Sequence, residues 1–244
     1  MIVIEKTAKS ILSVSQIYPY ALNPYTGCQH ACSYCYARFM KRYSGHQEPW
    51  GEFVDVKINA PELLAREITR KQPGRVWVSG VCDPYQPLEA KYRLTRQCLE
   101  ILLEHRWPLT IQTRSPLVLR DMDLLSRGAE LEVGMSITTA DDRVRRLFEP
   151  LAPTIEARVN ALGVLHNAGI RTFVMIAPIL PGAEELAKLL EGRVDHVILD
   201  RMNYHYADWV YRKYGLEDKR SPEYFSRVER ILADQFLTLG ISLS

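Results

Sequence analysis

Short apolar runs alternate with amphipathic segments along most of the chain. The apolar runs, about four to seven residues each, predict buried strands, and the segments that follow them show helical spacing. This order predicts strand–helix units joined in a parallel sheet. The predicted strands lie at 20–23, 53–58, 75–79, 109–112, 132–137, 171–176 and 194–199, and the predicted helices at 34–42, 61–71, 95–105, 121–127, 153–167 and 183–191, with a mainly helical segment from 204 onward.

The number of strand–helix units limits the fold class. The strand at 20–23 and the five from 75–79 onward make about six units, whereas a closed barrel has eight. The pattern fits an α/β fold of the partial (β/α)6 TIM-like barrel type, and a doubly wound open sheet fits the same periodicity. No linker or low-complexity segment interrupts the 244 residues, so we expect one domain. Its core would span about 12–203 and a helical C-terminal extension about 204–244.

Composition and charge limit the functions and the cellular locations that we expect for this protein. The chain is 47% hydrophobic and 25% charged, which is typical of a soluble globular protein. A formal net charge of +2 lacks the strong basic excess of proteins that bind long nucleic acids. Neither a signal peptide nor an apolar run of about 18 residues is visible, so we expect no membrane span. An odd count of five cysteines fits a reducing cytoplasm, and we expect a monomer there.

Three of the five cysteines lie close together near the N-terminus. Cys28, Cys32 and Cys35 form the pattern C-x3-C-x2-C, which can converge on one inorganic centre. A cubane iron–sulfur cluster has four irons and usually four cysteine ligands, so three cysteines leave one iron open for chemistry. A structural zinc site with His30 or His46 as fourth ligand is the alternative, although zinc sites more often pair two separated C-x2-C arms.

The cysteine pattern resembles the cluster-binding loop of the radical S-adenosylmethionine (SAM) superfamily. The resemblance implies a 4Fe–4S cluster on Cys28, Cys32 and Cys35, with SAM bound to the open iron. It also implies reductive cleavage of SAM to a 5′-deoxyadenosyl radical, and hydrogen abstraction from a substrate. A one-electron reductant of the flavodoxin or ferredoxin type is the partner that this chemistry implies. The partial barrel is the fold expected of this superfamily.

Further motifs resemble one branch, the spore photoproduct lyase-like (DNA repair photolyase-like) family. These are Asn-Pro-Tyr-x-Gly before Cys28, Tyr-Cys-Tyr-Ala-Arg at the last cysteine, Asp-Pro-Tyr-Gln-Pro at 83–87 and Ser-Ile-Thr-Thr at 136–139. The branch implies a nucleic-acid lesion or base as a possible substrate, and a peptide stays open. True lyases carry a cysteine that returns a hydrogen atom, with tyrosines nearby, so Cys82 and Tyr85 are the candidate catalytic residues. Cys98 lies on an apolar helix stripe and is expected in the core.

Polar residues follow the ends of the predicted strands, where ligands bind in parallel α/β folds. By resemblance, Ser79 and Gly80 would contact the amino group of SAM. Arg114 is a candidate partner of the SAM carboxylate.

The later strands supply the remaining candidates for SAM binding. Arg158 is a second candidate for the SAM carboxylate, with pairing to Glu149 or Glu156 as its alternative. The hydroxyls of Ser136 and Thr138 suit a ribose or nearby backbone groups. Apolar Ala177 and Pro178 suit the adenine ring.

A non-enzymatic function is a second hypothesis that also explains the clustered cysteines. An iron–sulfur or zinc-binding module for electron transfer or partner recognition would have four protein ligands and no affinity for SAM. Metal analysis and SAM binding separate this reading from the enzyme.

Overall fold

The computed structural model describes residues 1–243. The chain divides into two compact units. The first comprises Met1–His30 and Ala37–Val133, and the second comprises Ala31–Tyr36 and the chain from Gly134 onward. The expectation of a single domain over 1–244 stays a prediction, and its last residue, Ser244, lies outside the described residues.

The first unit contains a small sheet, part of the main sheet and five α-helices. Its strands and helices are β1 (Ile2–Lys6), β2 (Leu12–Val14), β3 (Tyr20–Leu22), β4 (Tyr25–Thr26), α1 (Lys41–Ser44), β5 (Phe53–Lys57), α2 (Ala60–Ile68), β6 (Val76–Val78), α3 (Glu89–Tyr92), α4 (Leu94–Glu104), β7 (Leu109–Thr113) and α5 (Met122–Leu125).

Strand pairing in the first unit separates a small sheet from the main one. The small sheet has the order β1-β5-β4, with β5 parallel to β1 and antiparallel to β4. In the main sheet, β3, β6 and β7 are parallel, and β2 pairs antiparallel with β3 at the edge. The strand predicted at 53–58 therefore exists, but it belongs to the small sheet.

The second unit continues the alternation of strands and helices. Strand β8 (Leu131–Ser136) crosses from the first unit into the second at Gly134. The following elements are α6 (Asp142–Phe148), α7 (Ile155–Asn167), β9 (Arg171–Ile176), α8 (Leu186–Leu190), β10 (His196–Leu199), α9 (Asp208–Lys213), α10 (Pro222–Thr238) and β11 (Ser242–Leu243). Strands β9, β10 and β11 are parallel neighbours.

The α/β fold and its partial-barrel topology are confirmed. The main sheet has the strand order β11-β10-β9-β8-β7-β6-β3-β2, which contains the six strands predicted for the core. Within the described residues this sheet stays open, because β2 and β11 end it. The inner strands are nearly continuous apolar runs because the strands of parallel sheets are buried on both faces.

Several predicted helices are shorter or of another type. The helix predicted at 34–42 is a 3₁₀ turn at Tyr36–Met40 followed by α1, and the one at 121–127 is a 3₁₀ turn at Pro116–Asp121 followed by α5. Helix α2 carries Pro61 at its start, as predicted. Among the described residues, no helix combines the length and the apolar character needed to cross a membrane.

Candidate functional site

The cysteine loop begins directly after β4. Gly27 makes the turn into Cys28 with φ +93°, and a Cβ there would lie 2.3 Å from the Phe53 carbonyl oxygen. Only glycine fits this turn. Cys28 and Cys32 are buried and Cys35 is half-buried. The loop passes from the first unit to the second after His30, so its two halves are described separately.

In the first unit, a buried carboxylate holds His30, the residue midway between Cys28 and Cys32. The His30 Nε2 atom lies 3.2 Å from Asp83 Oδ2, with both side chains almost inaccessible. The Thr113 hydroxyl donates to Asp83 Oδ1 at 2.6 Å, and the Arg114 amide donates to Asp83 Oδ2 at 2.7 Å. Burial by itself raises the pKa of Asp83, but His30 and these donors outweigh it and lower the pKa to about 2.

The residues after Asp83 hold the same half of the loop through amide groups. The Gln29 amide donates to Gln86 Oε1 at 3.0 Å, and the Gln86 side chain donates to the Gly27 carbonyl at 3.4 Å. In return, the Leu88 amide donates to Gln29 Oε1 at 2.6 Å. The Asp-Pro-Tyr-Gln-Pro motif thus acts here as a polar support for residues 27–30.

A second buried carboxylate, Glu89, holds the strand that leads into the loop. The Tyr25 hydroxyl donates to Glu89 Oε2 at 2.5 Å, and Arg120 donates to Glu89 Oε1 at 2.9 Å. The Thr95 amide also donates to Glu89 Oε2. Burial and the Glu89 carboxylate raise the pKa of Tyr25, so its hydroxyl stays protonated and remains a donor.

In the second unit, Glu149 holds the other half of the loop. The Tyr34 hydroxyl, between Cys32 and Cys35, donates to Glu149 Oε1. The Thr138 hydroxyl donates to the same oxygen at 2.9 Å, and Arg158 Nη2 lies 2.5 Å from Glu149 Oε2. The Ser33 amide donates to the Phe148 carbonyl at 2.8 Å. Ser33 and Tyr34 of the loop are therefore bound to Phe148, the last residue of α6, and to Glu149, which follows it.

Two predicted SAM ligands, Arg158 and Thr138, have partners within the protein. The Arg158 guanidinium is fully buried, paired with Glu149 and donating to the carbonyls of Pro153 and Ser136. The pair with Glu149 is the alternative that the sequence offered for Arg158. The roles of Arg114 and Arg158 at the SAM carboxylate stay predictions. The Thr138 hydroxyl is likewise engaged by Glu149.

The remaining predicted SAM contacts lie at the ends of core strands. Ser79 follows β6 and donates to the Leu22 carbonyl at 3.2 Å. A Cβ at Gly80 would lie 3.2 Å from the Trp77 ring, so the turn is tight. Ser136 ends β8 in the buried interior, while Ala177 and Pro178 follow β9, half-buried and buried respectively. Their roles stay predictions.

The two candidate catalytic residues differ in their surroundings. Cys82 packs against a hydrophobic cluster that includes Tyr25 and Val56, and burial raises the pKa of its thiol to about 11. The Tyr85 side chain has no solvent exposure, and the Arg120 guanidinium lies over its ring at 5.9 Å. Catalytic roles for both residues stay predictions. Cys98 is fully buried in α4, as expected.

The donor chemistry of the loop fits an iron–sulfur cluster, because cysteine thiolates are the ligands that such a cluster takes. A 4Fe–4S cluster has four irons, so three thiolates leave one iron for another ligand. A structural zinc site remains the alternative.

Comparison with protein families decides the identity of the fold. Residues 22–191 match the family described as the radical SAM superfamily, which is most of the chain. The chain belongs to the radical SAM superfamily. The matched segment contains all three clustered cysteines, the four core strands β6 to β9 and the last residue of β3.

Similar sequences occur in archaea, bacteria and viruses. An uncharacterized protein of Methanocaldococcus jannaschii is 40% identical over 162 residues, covering 66% of this chain and 61% of the relative. An uncharacterized protein of Mycobacterium tuberculosis is 34% identical, covering 71% of this chain and 54% of the relative. The match thus spans little more than half the length of these curated relatives. A protein of Pseudomonas phage M6 named radical SAM Nalpha-GlyT isomerase is 26% identical, covering 65% of this chain and 33% of its own.

Solved structures show the same radical SAM fold. Spore photoproduct lyase complexed with dinucleoside spore photoproduct has a TM-score of 0.70 at 18% identity, covering 99% of this chain and 81% of the lyase. Streptococcus suis SuiB bound to precursor peptide SuiA has a TM-score of 0.56 at 12% identity, covering 100% of this chain and 48% of SuiB. At these identities the likeness concerns the fold.

The supports of the loop were missed by the sequence prediction. Asp83 and Gln86 lie in the loop after β6, Glu89 begins α3, and Glu149 directly follows α6, a helix that was not predicted. The signal available in the sequence was the close spacing of these polar residues beside prolines. Their burial and partners come from contacts between residues far apart in the chain.

Proposed function

We propose that the protein is a radical SAM enzyme that uses a 4Fe–4S cluster on Cys28, Cys32 and Cys35. The observation that carries the proposal is the C-x3-C-x2-C loop within a chain that belongs to the radical SAM superfamily. His30 and Tyr34, which lie between the cysteines, are bound to buried carboxylates. These contacts support a loop that is preorganised for the cluster.

The proposed cofactor contacts follow the strand ends. SAM would bind the open iron and lie near Ser79, Gly80, Ser136, Thr138, Ala177 and Pro178, with Arg114 pairing with its carboxylate. When bound, the cluster and SAM would supply a 5′-deoxyadenosyl radical that takes a hydrogen atom from the substrate, with one electron drawn from a flavodoxin- or ferredoxin-type donor and methionine released. This chain binds and orients the reacting carbon and excludes water.

Cys82 is the proposed hydrogen-atom donor to the product radical, and the thiyl radical left on it would regain one electron from the flavodoxin- or ferredoxin-type donor and a proton from solvent. Because burial raises the pKa of its thiol to about 11, the S–H bond that such a transfer needs persists at neutral pH. Tyr85 lies three residues after Cys82, and its side chain is buried. We propose that it acts together with Cys82 in this transfer. Unchanged product formation in Cys82→Ala would remove this cysteine from the role.

The substrate class that we propose is a nucleic-acid base or lesion. Three tyrosines of the second unit form a stack, with Tyr36–Tyr204 ring centroids at 6.4 Å and Tyr204–Tyr206 at 5.6 Å. Tyr36 follows Cys35 directly and is 39% exposed, and Tyr204 is 48% exposed. Exposed aromatic rings are platforms on which bases stack. A peptide is the competing substrate.

The alternative function is a non-enzymatic iron–sulfur or zinc module. It would carry electrons or recognise a partner, with no dependence on SAM. About four irons and four sulfides per chain support the enzyme, whereas one zinc supports a structural site. We propose a reducing compartment such as the cytoplasm, where the thiols stay available, and a monomeric protein.

The experiment that tests the proposal uses anaerobically reconstituted protein. We expect a reduced-cluster electron paramagnetic resonance spectrum that changes when SAM is added, together with formation of 5′-deoxyadenosine. Cys32→Ala should lose the cluster signal and the SAM cleavage, because each thiolate binds its own iron. Cys98→Ala is the matched control, since this cysteine is buried in α4 outside the motif, and it should retain both.

Two outcomes would contradict the proposal. SAM cleavage retained in Cys32→Ala would show that the motif does not hold the cluster. A wild-type cluster whose spectrum does not change when SAM is added would support the alternative function as an electron carrier.

A further inference from the structure

Glu149 is a fully buried carboxylate that no sequence motif marks. It accepts hydrogen bonds from Tyr34 in the cysteine loop and from Thr138 after β8, and it pairs with Arg158 of α7. We propose that Glu149 is a positioning residue that, through Tyr34, sets the orientation of Cys32 and Cys35 toward the cluster. The inference rests on the proposed function, because it assigns these two cysteines to a cluster.

The ion pair with Arg158 fixes the place of the carboxylate. Arg158 and Glu149 both have no side-chain exposure, and their closest atoms are 2.5 Å apart. Arg158 is itself held, because its Nε donates to the Pro153 carbonyl and its Nη1 donates to the Ser136 carbonyl, each at 3.0 Å. A buried pair gains from such fixed geometry, since both charges keep partners after losing water. The oxygen offered to Tyr34 is therefore held in one position.

The attachment to the loop is double. Tyr34 donates its hydroxyl to Glu149, and the neighbouring Ser33 donates its backbone amide to the Phe148 carbonyl at 2.8 Å. The Tyr34 side chain is 6% exposed. A side chain and a backbone group fixed at adjacent residues limit rotation of the segment between Cys32 and Cys35. Groups that orient metal ligands in this way tune the metal centre from outside its ligand set.

A purely structural role predicts a different result from a positioning role. If the network only stabilises the second unit, removing the Tyr34 hydroxyl lowers the unfolding temperature of the apoprotein and leaves a loaded cluster unchanged. If it positions the thiolates, the cluster is held less firmly even where the apoprotein remains folded.

The experiment compares Tyr34→Phe and Glu149→Asp with Tyr211→Phe. Tyr34→Phe keeps the ring and removes only the donor, while Glu149→Asp keeps the charge that Arg158 needs and withdraws the acceptor by one methylene. Tyr211 is the matched control, because its buried hydroxyl has no hydrogen-bond partner among the described residues and its ring packs against Phe148 with centroids at 4.8 Å. Each protein is reconstituted anaerobically, and the rate of iron loss to a chelator and the cluster's midpoint potential are measured beside apoprotein melting.

We expect Tyr34→Phe and Glu149→Asp to lose iron about ten-fold faster than wild type, the lower end of the effect of removing an outer partner of a metal ligand. Their midpoint potential should shift, and Tyr211→Phe should match wild type in both measurements. Iron loss and potential equal to wild type in both variants would overturn the inference while the proposed function stands. A wild-type protein that takes up no iron would overturn both.

Discussion

At the scale of single residues, ionised side chains inside the protein organise the candidate site. Asp83 and Glu149 each hold a residue that lies between two of the clustered cysteines, His30 and Tyr34 respectively. Buried carboxylates are costly unless they are paired and hydrogen-bonded, and both of these are. The protein thus keeps two carboxylates in its interior, and each is bound to a residue of the cysteine loop.

The low pKa of Asp83 makes its contribution to stability depend on pH. The pKa falls from the ordinary 3.8 to about 2 in the folded protein, because His30 and the Thr113 and Arg114 donors outweigh burial. A group with a lowered folded pKa stabilises the protein above its unfolded pKa and loses that effect as pH falls through the folded value. We expect Asp83→Asn to lower the free energy of unfolding by about 2 kcal/mol at neutral pH.

The measurement is urea unfolding of wild type and Asp83→Asn across a pH series. The difference in unfolding free energy should be constant from about pH 5 to about pH 7 and shrink from about pH 4 toward about pH 2. Asp123→Asn is the matched control. Its pKa is also lowered to about 2, through Arg96, but its side chain is 60% exposed, so solvent screens the pair and the loss should be small. A difference for Asp83→Asn that persists in acid would contradict the assignment.

At the scale of elements, the strand–helix alternation predicted the main sheet well and the connecting segments poorly. Strand β9 has the predicted bounds, and β7 and β8 differ by one residue at their ends. The periodic signal is strong there because parallel strands are buried on both faces. Helices α3 and α6 and strands β1, β2, β4 and β11 were missed, because short elements carry too few residues to show a period.

Packing between two core strands leads to an element-scale prediction at Gly134 of β8. A Cβ at this position would lie 2.1 Å from the Phe173 ring of β9, so the ring occupies the place of a side chain. Gly134→Ala should force Phe173 out of position and lower the free energy of unfolding by about 1–3 kcal/mol, which is typical of overpacking. Chemical denaturation measures the change, and Gly134→Ala combined with Phe173→Leu should recover part of it.

Gly163→Ala in α7 is the matched control with the opposite sign. A Cβ there meets only the end of the flexible Arg193 side chain, at 3.0 Å. Alanine should therefore stabilise the helix by about 0.5–1 kcal/mol, since glycine loses more backbone freedom on folding. Equal destabilisation by both substitutions would argue against a specific contact with Phe173.

At the scale of the whole molecule, charge limits the kind of partner. The chain has 31 Lys and Arg against 29 Asp and Glu. Tight binding of long nucleic acids draws on many phosphate contacts by basic residues. The proposed recognition of a nucleic-acid base therefore relies on local contacts, such as base stacking at Tyr36 and Tyr204.

The charge balance predicts weak binding to long DNA. Fluorescence anisotropy with a duplex of unrelated sequence at about 0.15 M salt should give a Kd weaker than about 10 μM, with little dependence on salt. Sub-micromolar binding with a steep salt dependence would contradict this and indicate a concentrated basic surface.

What the sequence by itself determined was the set of core strands and the cysteine loop. Both are local in sequence, since strand burial shows in consecutive apolar residues and the C-x3-C-x2-C pattern spans only residues 28–35. Only the tertiary structure decided which polar groups meet: that Arg158 pairs with Glu149, that Thr138 donates to the same carboxylate, and that Asp83 reaches His30. Such pairings join residues distant in the chain, and their energy depends on burial and geometry that no local pattern encodes.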